Sequence, residues 1–297
     1  MTRRREENEF AGRRSLHIVM PGQKREARLR ADDPGIHVFL CVAKTWVAGH
    51  RRAEATPSFR RLCPAMTESV VQSVISQGTF DVAGVSLIAD LSGALFWEEQ
   101  NLLVVSDLHL EKGSSFATRG VLLPPYDTAA TLSRLAAVIA RHDPRMVIAL
   151  GDSFHDKRAH ERLSATDRDA IAVLQVRRDW IWISGNHDPA LPSNLGGMVA
   201  TEVAIGRIAF RHEPTGACGE IAGHLHPKAR VPTRGRTMER RCFVTDGERA
   251  IMPSFGAYTG GLSIRDAAFA KIFGTPGFMA HVLGDVKLHT IAASRCY

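Results

Sequence analysis

Short apolar runs that are each followed, after one intervening residue, by Asp, Asn or His constrain the fold of this chain more than any other feature. Five such runs occur, at residues 102–105, 146–150, 180–184, 204–210 and 219–222. The first three have the length of buried strands, and segments with helical spacing of apolar residues lie between them, at 127–141 and 166–176. The order strand, helix, strand, helix, strand predicts a sheet with right-handed crossover connections.

The chain changes character after residue 203, where short β segments replace the alternation of strands and helices. These segments are 204–211, 219–223, 229–233, 241–245 and 249–253. A hairpin is also predicted ahead of the first apolar run, because the runs 85–89 and 94–97 flank the turn-forming pair Ser92-Gly93. An α/β half followed by a β-rich half predicts two facing sheets with helices on the outside.

The polar residues that follow the five runs are of types that bind transition metals. Ligand sites of open α/β sheets form at the carboxyl ends of strands, so five strand ends could bring these residues to one place. The residues are Asp107, His109, Asp152, Asn186, His187, His212, His224 and His226. Imidazole and carboxylate together favour Mn, Fe, Zn or Co over Ca or Mg, and the absence of Cys disfavours a structural zinc site.

Taken in order, these motifs resemble those of the calcineurin-like metallophosphoesterases over about residues 102–227. The motifs are Asp107-x-His109, Gly151-Asp152, Gly185-Asn186-His187-Asp188, a single His212, and Gly223-His224-x-His226. The resemblance implies an α/β fold, an αββα sandwich of two facing mixed sheets flanked by helices. It also implies two divalent transition-metal ions, with manganese favoured and iron or zinc as alternatives.

The same resemblance implies a role for each residue of the motifs. One metal ion would be held by Asp107, His109, Asp152 and His226. The other would be held by Asp152, Asn186, His212 and His224, with Asp152 bridging the two ions. His187 would contact no metal and would face the substrate. The implied catalytic residues are His187, Asp152 and Asn186.

A narrower resemblance, over roughly residues 84–262, is to the ligase-associated DNA damage response endonucleases. It is carried by residues 106–113, 123–128, 151–156 and 255–261. It implies a bacterial endonuclease that hydrolyses DNA in repair, in association with an ATP-dependent DNA ligase and a helicase. Two alternatives stay open: a phosphatase or pyrophosphohydrolase for a nucleotide or lipid intermediate, and a non-catalytic scaffold of the same fold. A scaffold would be expected to have lost ligands, and none is missing here.

Other polar residues near these motifs have two possible interpretations. His155, Asp156 and Asp188 either orient the metal ligands or cap the segments that follow them. A basic run close behind His226 either contacts substrate phosphates or forms a solvated hairpin. The run consists of Lys228, Arg230, Arg234, Arg236, Arg240 and Arg241. Away from the motifs, we predict that His142 is a solvated helix residue and that Trp180 and Trp182 pack in the core.

Charge separates the first 65 residues from the remainder of the chain. Residues 1–65 contain 14 Lys or Arg and 7 Asp or Glu, an excess equal to the formal net charge of +7 of the entire chain. The segment also lacks helical or strand periodicity, so we expect it to be disordered or a spurious upstream extension. Residues 66–297 would then be the metallophosphoesterase domain. The alternative for the segment is a basic arm that binds DNA phosphates.

The remaining expectations concern the compartment. The sequence has no apolar stretch of about 18 residues, which predicts no transmembrane helix and no membrane partner. Its five cysteines form no CxxC pair and are odd in number, which argues against a disulfide framework. We therefore expect a protein of the reducing cytoplasm.

Overall fold

A computed structural model of the protein describes residues 16–19, 27–28, 78–233, 235–274 and 277–296. Two short strands, β1 (Leu16–Val19) and β2 (Ala27–Arg28), are described ahead of residue 78. The other described elements form two mixed sheets and the helices that cover them.

The first sheet has seven strands in the described chain, and their spatial order follows their order in the sequence. They are β3 (Gly78–Val82), β4 (Val85–Ala89), β5 (Leu95–Trp97), β6 (Leu102–Val105), β7 (Met146–Leu150), β8 (Asp179–Ile183) and β9 (Met198–Ala200). Strands β3 to β6 pair antiparallel, which includes the predicted hairpin of β4 and β5. Strands β6 to β9 pair parallel, so the carboxyl ends of β6, β7 and β8 meet at one edge.

The second sheet contains β1, β2 and eight strands from the second half of the chain, counted within the described residues. The eight are β10 (Glu202–Ile205), β11 (Ile208–Arg211), β12 (Glu220–Ala222), β13 (Lys228–Thr233), β14 (Arg236–Thr245), β15 (Ala250–Ile251), β16 (Met279–Leu283) and β17 (Leu288–Ala292). Their order is β17-β16-β14-β15-β12-β11-β10-β1-β2, and β13 pairs with β14. Strands β11 and β12 are parallel, so their carboxyl ends also lie together.

Five α-helices occur in the described residues. They are α1 (Lys112–Ala117), α2 (Asp127–His142), α3 (Ala159–Arg162), α4 (Ala165–Gln175) and α5 (Ala267–Phe273). Helices α2 and α4 confirm the two helices predicted from apolar spacing, whereas α5 lies beyond the last predicted segment, 249–253, and was not predicted. No helix in the described part is both long and apolar enough to cross a bilayer.

The apolar residues lie in three layers, which confirms the αββα sandwich. Along β6, Leu102 and Val104 belong to the layer between the two sheets, whereas Leu103 and Val105 belong to the layer that includes residues of α2 and α4. Phe269 of α5 packs in a third layer against the outer face of the second sheet. Because β6 is buried on both faces, its sequence is a continuous apolar run rather than an alternating one.

Two predictions about aromatic and imidazole residues have opposite outcomes. Trp180 and Trp182 are 3% and 1% exposed, so the prediction of core packing is confirmed. The prediction for His142 is wrong, because its Nε2 lies 3.0 Å from Oδ2 of the buried Asp90 and its ring stacks on Phe96. Asp90 belongs to the turn after β4, so this pairing is a tertiary contact that helical spacing does not reveal.

The N-terminal segment, which lacks strand periodicity in its sequence, contains two short strands. β1 pairs antiparallel with both β10 and β2, although both β1 and β2 fall within residues 1–65. Residues 1–15, 20–26 and 29–77 lie outside the described residues. The proposed domain boundary at residue 66 therefore stays a prediction.

Candidate metal centre

The loops after β6, β7 and β12 hold their polar residues in an unusual backbone conformation. Asp107, His109, Asp152, His224 and His226 have φ values between +43° and +68°. Residues other than glycine rarely adopt this left-handed region, and such strain is concentrated at functional sites. Five of the predicted ligands therefore lie where the surrounding structure enforces a strained backbone.

Asp107, His109 and His226 form the first cluster of candidate ligands, with one ligand atom of each within 4.8 Å of the others. His226 Nε2 lies 2.9 Å from Asp107 Oδ1. Neither of these atoms, nor His109 Nδ1, is aligned for a hydrogen bond with any described residue, although all three are buried. Buried polar atoms without partners are costly, and a bound cation would satisfy the carboxylate and imidazole lone pairs.

Asp152, His212 and His224 form the second cluster, again with ligand atoms within 4.8 Å of one another. Asn186 joins them, since its Oδ1 is 2.9 Å from His212 Nε2 and 3.0 Å from His224 Nδ1, which are themselves 3.2 Å apart. Donor atoms bound at about 2.1 Å from one ion, at right angles to each other, lie about 3.0 Å apart. The spacing of these three atoms therefore fits a single metal ion.

Asp152 lies between the two clusters. Its Oδ2 is 3.4 Å from His212 Nε2 in the second cluster and 3.8 Å from His109 Nε2 in the first. The backbone N–H of His187 donates a hydrogen bond of 2.9 Å to its Oδ1 and fixes the carboxylate in this orientation. The structure thus brings all seven predicted metal ligands together and gives Asp152 the position expected of a bridging ligand.

Two glycines permit this close packing. A Cβ atom on Gly185 would lie 2.1 Å from Asp152 Oδ1, and one on Gly223 would lie 2.1 Å from Ser106 Oγ and 2.6 Å from Asp107 Oδ2. No side chain fits at such distances, because non-bonded carbon and oxygen atoms need about 3 Å or more. The two positions therefore require glycine for the carboxylates to lie where they do.

Burial and neighbouring charges set the protonation of the ligands. Burial lowers the pKa of His109 to about 3, although Asp107 and Asp152 act against it. Burial raises the pKa of Asp152, but hydrogen bonding to His212 and the positive charge of that ring outweigh it and bring the value to about 2. Neutral imidazole and ionised carboxylate are the forms that bind metals.

His212 is the exception among the ligands. Burial lowers its pKa, but Asp152 and Asp107 outweigh that effect and raise it to about 9. A metal ion that binds at the second cluster would therefore displace a proton from His212.

His187 lies beside both clusters with its side chain 40% exposed. Its Nδ1 is 2.7 Å from the carbonyl oxygen of His155. A carbonyl oxygen only accepts hydrogen bonds, so Nδ1 carries a proton and Nε2 is the atom turned towards Asp152 Oδ2, 3.9 Å away. His187, His109 and His155 each have a ring nitrogen within 4.8 Å of a ring nitrogen of the other two. His187 therefore adjoins the first cluster, to which His109 belongs.

With the geometry of the site established, comparison with known proteins identifies its class. Residues 101–248 match the family model of the calcineurin-like phosphoesterases. The chain has a calcineurin-like phosphoesterase domain. Proteins of this family hydrolyse phosphoester bonds with divalent metals, so this phosphoesterase is a hydrolase of that type.

Among the solved structures that are similar to this chain are a nuclease and a phosphoesterase. One is the nuclease MPE of Pseudomonas putida, at 27% identity and a TM-score of 0.56, covering 72% of this chain and 100% of that chain. Another is the phosphoesterase Yfce from E. coli, at 14% identity and a TM-score of 0.33, covering 65% of this chain and 98% of that chain. Comparison with curated proteins gave no significant match.

Asp188 connects two loops of the phosphoesterase domain. Its Oδ1 accepts the N–H of Gly185 and its Oδ2 accepts the N–H of Phe154, both at 3.0 Å. Burial raises the pKa of its carboxyl to about 7. Of the two interpretations of Asp188, orientation of the ligands fits its contacts, because it holds the loops that carry Asp152 and Asn186.

His155 and Asp156 differ in their surroundings. The His155 ring lies 5.5 Å from that of His109 and 5.4 Å from that of His187, between centroids. Burial, followed by the nearby Lys112, lowers the pKa of His155 to about 4. Asp156 instead accepts hydrogen bonds from the backbone of Arg158 and the side chain of Arg162, so it caps the segment that leads into α3.

The loop after β15 supports the first cluster, although the residues that make its contacts are not of metal-binding types. Phe255 N–H donates to Ser106 O at 2.7 Å, and Gly256 N–H donates to Asp107 O at 3.1 Å. Arg241 holds the same loop through a 2.6 Å hydrogen bond to Ser254 O. The guanidinium of Arg241 thus donates to backbone carbonyls inside the protein, which favours a supporting role over a phosphate contact for this residue. The signal for this loop was its resemblance to the endonuclease subfamily at residues 255–261.

The other cations of the basic run lie on the β13–β14 hairpin, apart from Arg234, which is outside the described residues. Lys228 Nζ lies 3.0 Å from Glu239 Oε1, and Arg240 Nη2 lies 3.1 Å from Asp285. Arg230 and Arg236 are exposed. Part of the charge of the basic run is thus neutralised by neighbouring carboxylates.

Proposed function

We propose that this phosphoesterase is a DNA endonuclease that uses two divalent transition-metal ions, with manganese preferred. The observation that supports it best is the pair of ligand clusters on either side of Asp152. The chain is also similar to a Pseudomonas putida nuclease over the full length of that protein. From the resemblance of residues 255–261 and the other quoted segments, we further propose a role in repair beside an ATP-dependent DNA ligase and a helicase.

The residues of the site have two roles in the proposed reaction, metal binding and proton transfer. One ion would be held by Asp107, His109, Asp152 and His226, and the other by Asp152, Asn186, His212 and His224. Bound there, the ions would polarise the phosphodiester and lower the pKa of the attacking water. No covalent intermediate with a protein nucleophile is required.

His187 is placed to protonate the leaving oxygen. Because its Nδ1–H donates to His155 O, its Nε2 is the nitrogen directed into the site, and the imidazolium form would donate from there. A 3′- or 5′-oxygen of DNA leaves poorly unless it is protonated, so this transfer should accelerate the reaction. The backbone N–H of His187 also orients the carboxylate of Asp152, so this one residue both supplies the acid and positions a metal ligand.

The surroundings of the centre favour a polymeric substrate over a small apolar one. Asn186 is exposed, and the cleft of about 310 Å³ beside Asn186 and His212 is lined by polar residues that include Glu202 and Arg211. Sites for small molecules are usually enclosed and mostly apolar. The open, polar cleft therefore differs from the enclosed apolar pocket expected for a nucleotide or lipid intermediate.

We also propose that the enzyme works in the reducing cytoplasm. Cys242 and Cys296 belong to the same apolar layer and are both free thiols. Unpaired buried thiols are typical of reducing compartments. Fractionation of native cells checks this, and recovery of the protein outside the cytoplasm would contradict it.

The nuclease proposal is tested with protein loaded separately with Mn²⁺, Fe²⁺ and Zn²⁺. The substrates are circular single-stranded DNA, bis-(p-nitrophenyl) phosphate and p-nitrophenyl phosphate. We expect the circle to be cut, which requires an endonuclease because it has no ends, and the diester to be hydrolysed faster than the monoester. Asp152→Asn, which removes the charge shared by both clusters, is the inactive control. Hydrolysis of the monoester with no cleavage of DNA would instead support the small-molecule phosphatase.

A further inference from the structure

A series of ring contacts connects the metal centre to helix α1. The His187 ring lies 5.4 Å from the His155 ring, and the His155 ring lies 5.8 Å from the Phe116 ring. Lys112 Nζ lies 5.9 Å from the centroid of Phe116. The proposed general acid, two aromatic rings and an ammonium group therefore follow one another across the surface.

A second cation stands at the end of α1. Arg119 is exposed, and its backbone N–H is held by a 2.9 Å hydrogen bond to Phe116 O. Neither Arg119 nor Lys112 forms an ion pair with a carboxylate of the described residues, in contrast to Lys228 and Arg240 of the hairpin. Asp127 acts on Lys112 electrostatically but from beyond ion-pair distance, so both cations can approach a phosphate without first breaking a direct ion pair.

The loop of residues 118–126 presents apolar groups next to these cations. It is held against α1 by a 3.0 Å hydrogen bond from Val121 N–H to Phe116 O, and Asp127, the residue after the loop, accepts a 3.0 Å hydrogen bond from Gly113 N–H of α1. At its surface, Leu122 is 86% and Tyr126 is 68% exposed. Cations beside exposed aromatic and apolar side chains are the combination that binds a strand whose bases are unpaired.

We propose that α1 and the loop 118–126 form the surface that holds the DNA strand at the metal centre. Lys112 and Arg119 bind its backbone phosphates, and Leu122 and Tyr126 contact its bases. This inference rests on the proposed DNA substrate. It places the strand on the α1 side of the site instead of along the β13–β14 hairpin.

The test compares two double variants that each remove one Lys and one Arg. Lys112→Gln with Arg119→Gln alters the proposed surface, and Arg207→Gln with Lys271→Gln removes the same charge from the β10–β11 turn and from α5. Binding of a labelled single strand is measured in EDTA, which prevents cleavage, over a range of salt concentrations. Turnover of bis-(p-nitrophenyl) phosphate by the manganese-loaded proteins reports the metal centre alone.

For the α1 variant we expect single-strand affinity to fall by about 10- to 30-fold at 0.1 M salt. The slope of log affinity against log salt should flatten by about 1.4, since each phosphate contact contributes about 0.7. Turnover of the small diester should not change, and the control should match wild type. Tyr126→Ser should weaken single-strand binding by about 5-fold or more but leave duplex binding unchanged, because duplex bases are not free to stack.

An unchanged affinity and salt slope in the α1 variant would overturn the proposal. So would an equal loss of diester turnover, since α1 would then act through the metal centre. If Tyr126→Ser had no effect on single strands, the base contact would be excluded. A wild-type protein that hydrolyses the diester but neither binds nor cuts DNA would instead refute the proposed substrate, a failure that is visible without any variant.

Discussion

Gly185 is the position where the smallest covalent change should have the largest effect on the metal centre. A Cβ atom there would lie 2.1 Å from Asp152 Oδ1 and 2.3 Å from the backbone N of Asp152. Raising the first distance to a tolerable 3.0 Å requires the carboxylate to move by about 0.9 Å. Metal sites accept deviations of only about 0.2 Å in ligand distance. Because Asp152 lies between the clusters, we expect Gly185→Ala to lose both ions.

The assay for Gly185→Ala is metal content after dialysis, together with diester turnover and the free energy of unfolding. The added methyl group should destabilise the fold by about 1–3 kcal/mol, as overpacking usually does, so the protein should still be folded when it has lost its metal. Gly260→Ala is the matched control, because a Cβ atom at Gly260 has no described atom within 4 Å. Two bound ions and normal turnover in Gly185→Ala would refute the placement of Asp152 as the shared ligand.

Three further predictions concern the acid, a buried ion pair and the supporting loop. His187→Ala should keep both ions and slow DNA cleavage by about 10²–10⁴-fold, with a smaller loss for a p-nitrophenolate leaving group that needs no proton; an equal loss for both substrates would contradict the acid role. Burial raises the pKa of Asp90, but His142, Ser92 and Arg141 outweigh it, so the pKa in the folded state is below the unfolded value of about 3.9. Asp90→Asn should therefore lower the free energy of unfolding by about 1.5–3 kcal/mol at neutral pH, and the difference from wild type should shrink as the pH falls below about 4. Denaturant unfolding at several pH values measures this difference. A difference that is constant with pH would exclude a stabilising role of the Asp90 charge. Arg241→Met should lower metal content at the first cluster without changing the salt dependence of DNA binding, and a flatter salt slope would restore Arg241 as a phosphate contact.

The fold and the ligands could be predicted because they depend on local patterns. A strand buried on both faces must be a continuous apolar run, and parallel strands bring their carboxyl ends together, so residues such as Asp107 and Asp152 are placed by their position after a strand. The glycine before Asn186 is equally informative, since close packing of Asp152 allows no side chain there.

The features that could not be predicted depend on partners distant in sequence. His142 has ordinary helical spacing, and only the fold shows that the turn after β4 brings Asp90 to it. Arg241 lies in a basic run that suggests a solvated hairpin, yet its guanidinium donates to Ser254 O in the loop after β15 and to Ser92 O in the β4–β5 turn. β1 is too short to show a distinctive sequence pattern, and only its pairing with β10 in the fold reveals it as a strand.

Two metal ions should be bound, one at each cluster, with Asp152 between them. Anomalous diffraction from crystals grown with Mn²⁺ tests this most directly, because it gives both the number of ions and their ligands. We expect two peaks, one in ligand contact with Asp107, His109 and His226 and the other with Asn186, His212 and His224. Both peaks should be absent from Asp152→Asn crystals. A single peak in the wild-type protein, or two peaks of which neither contacts Asp152, would contradict the account.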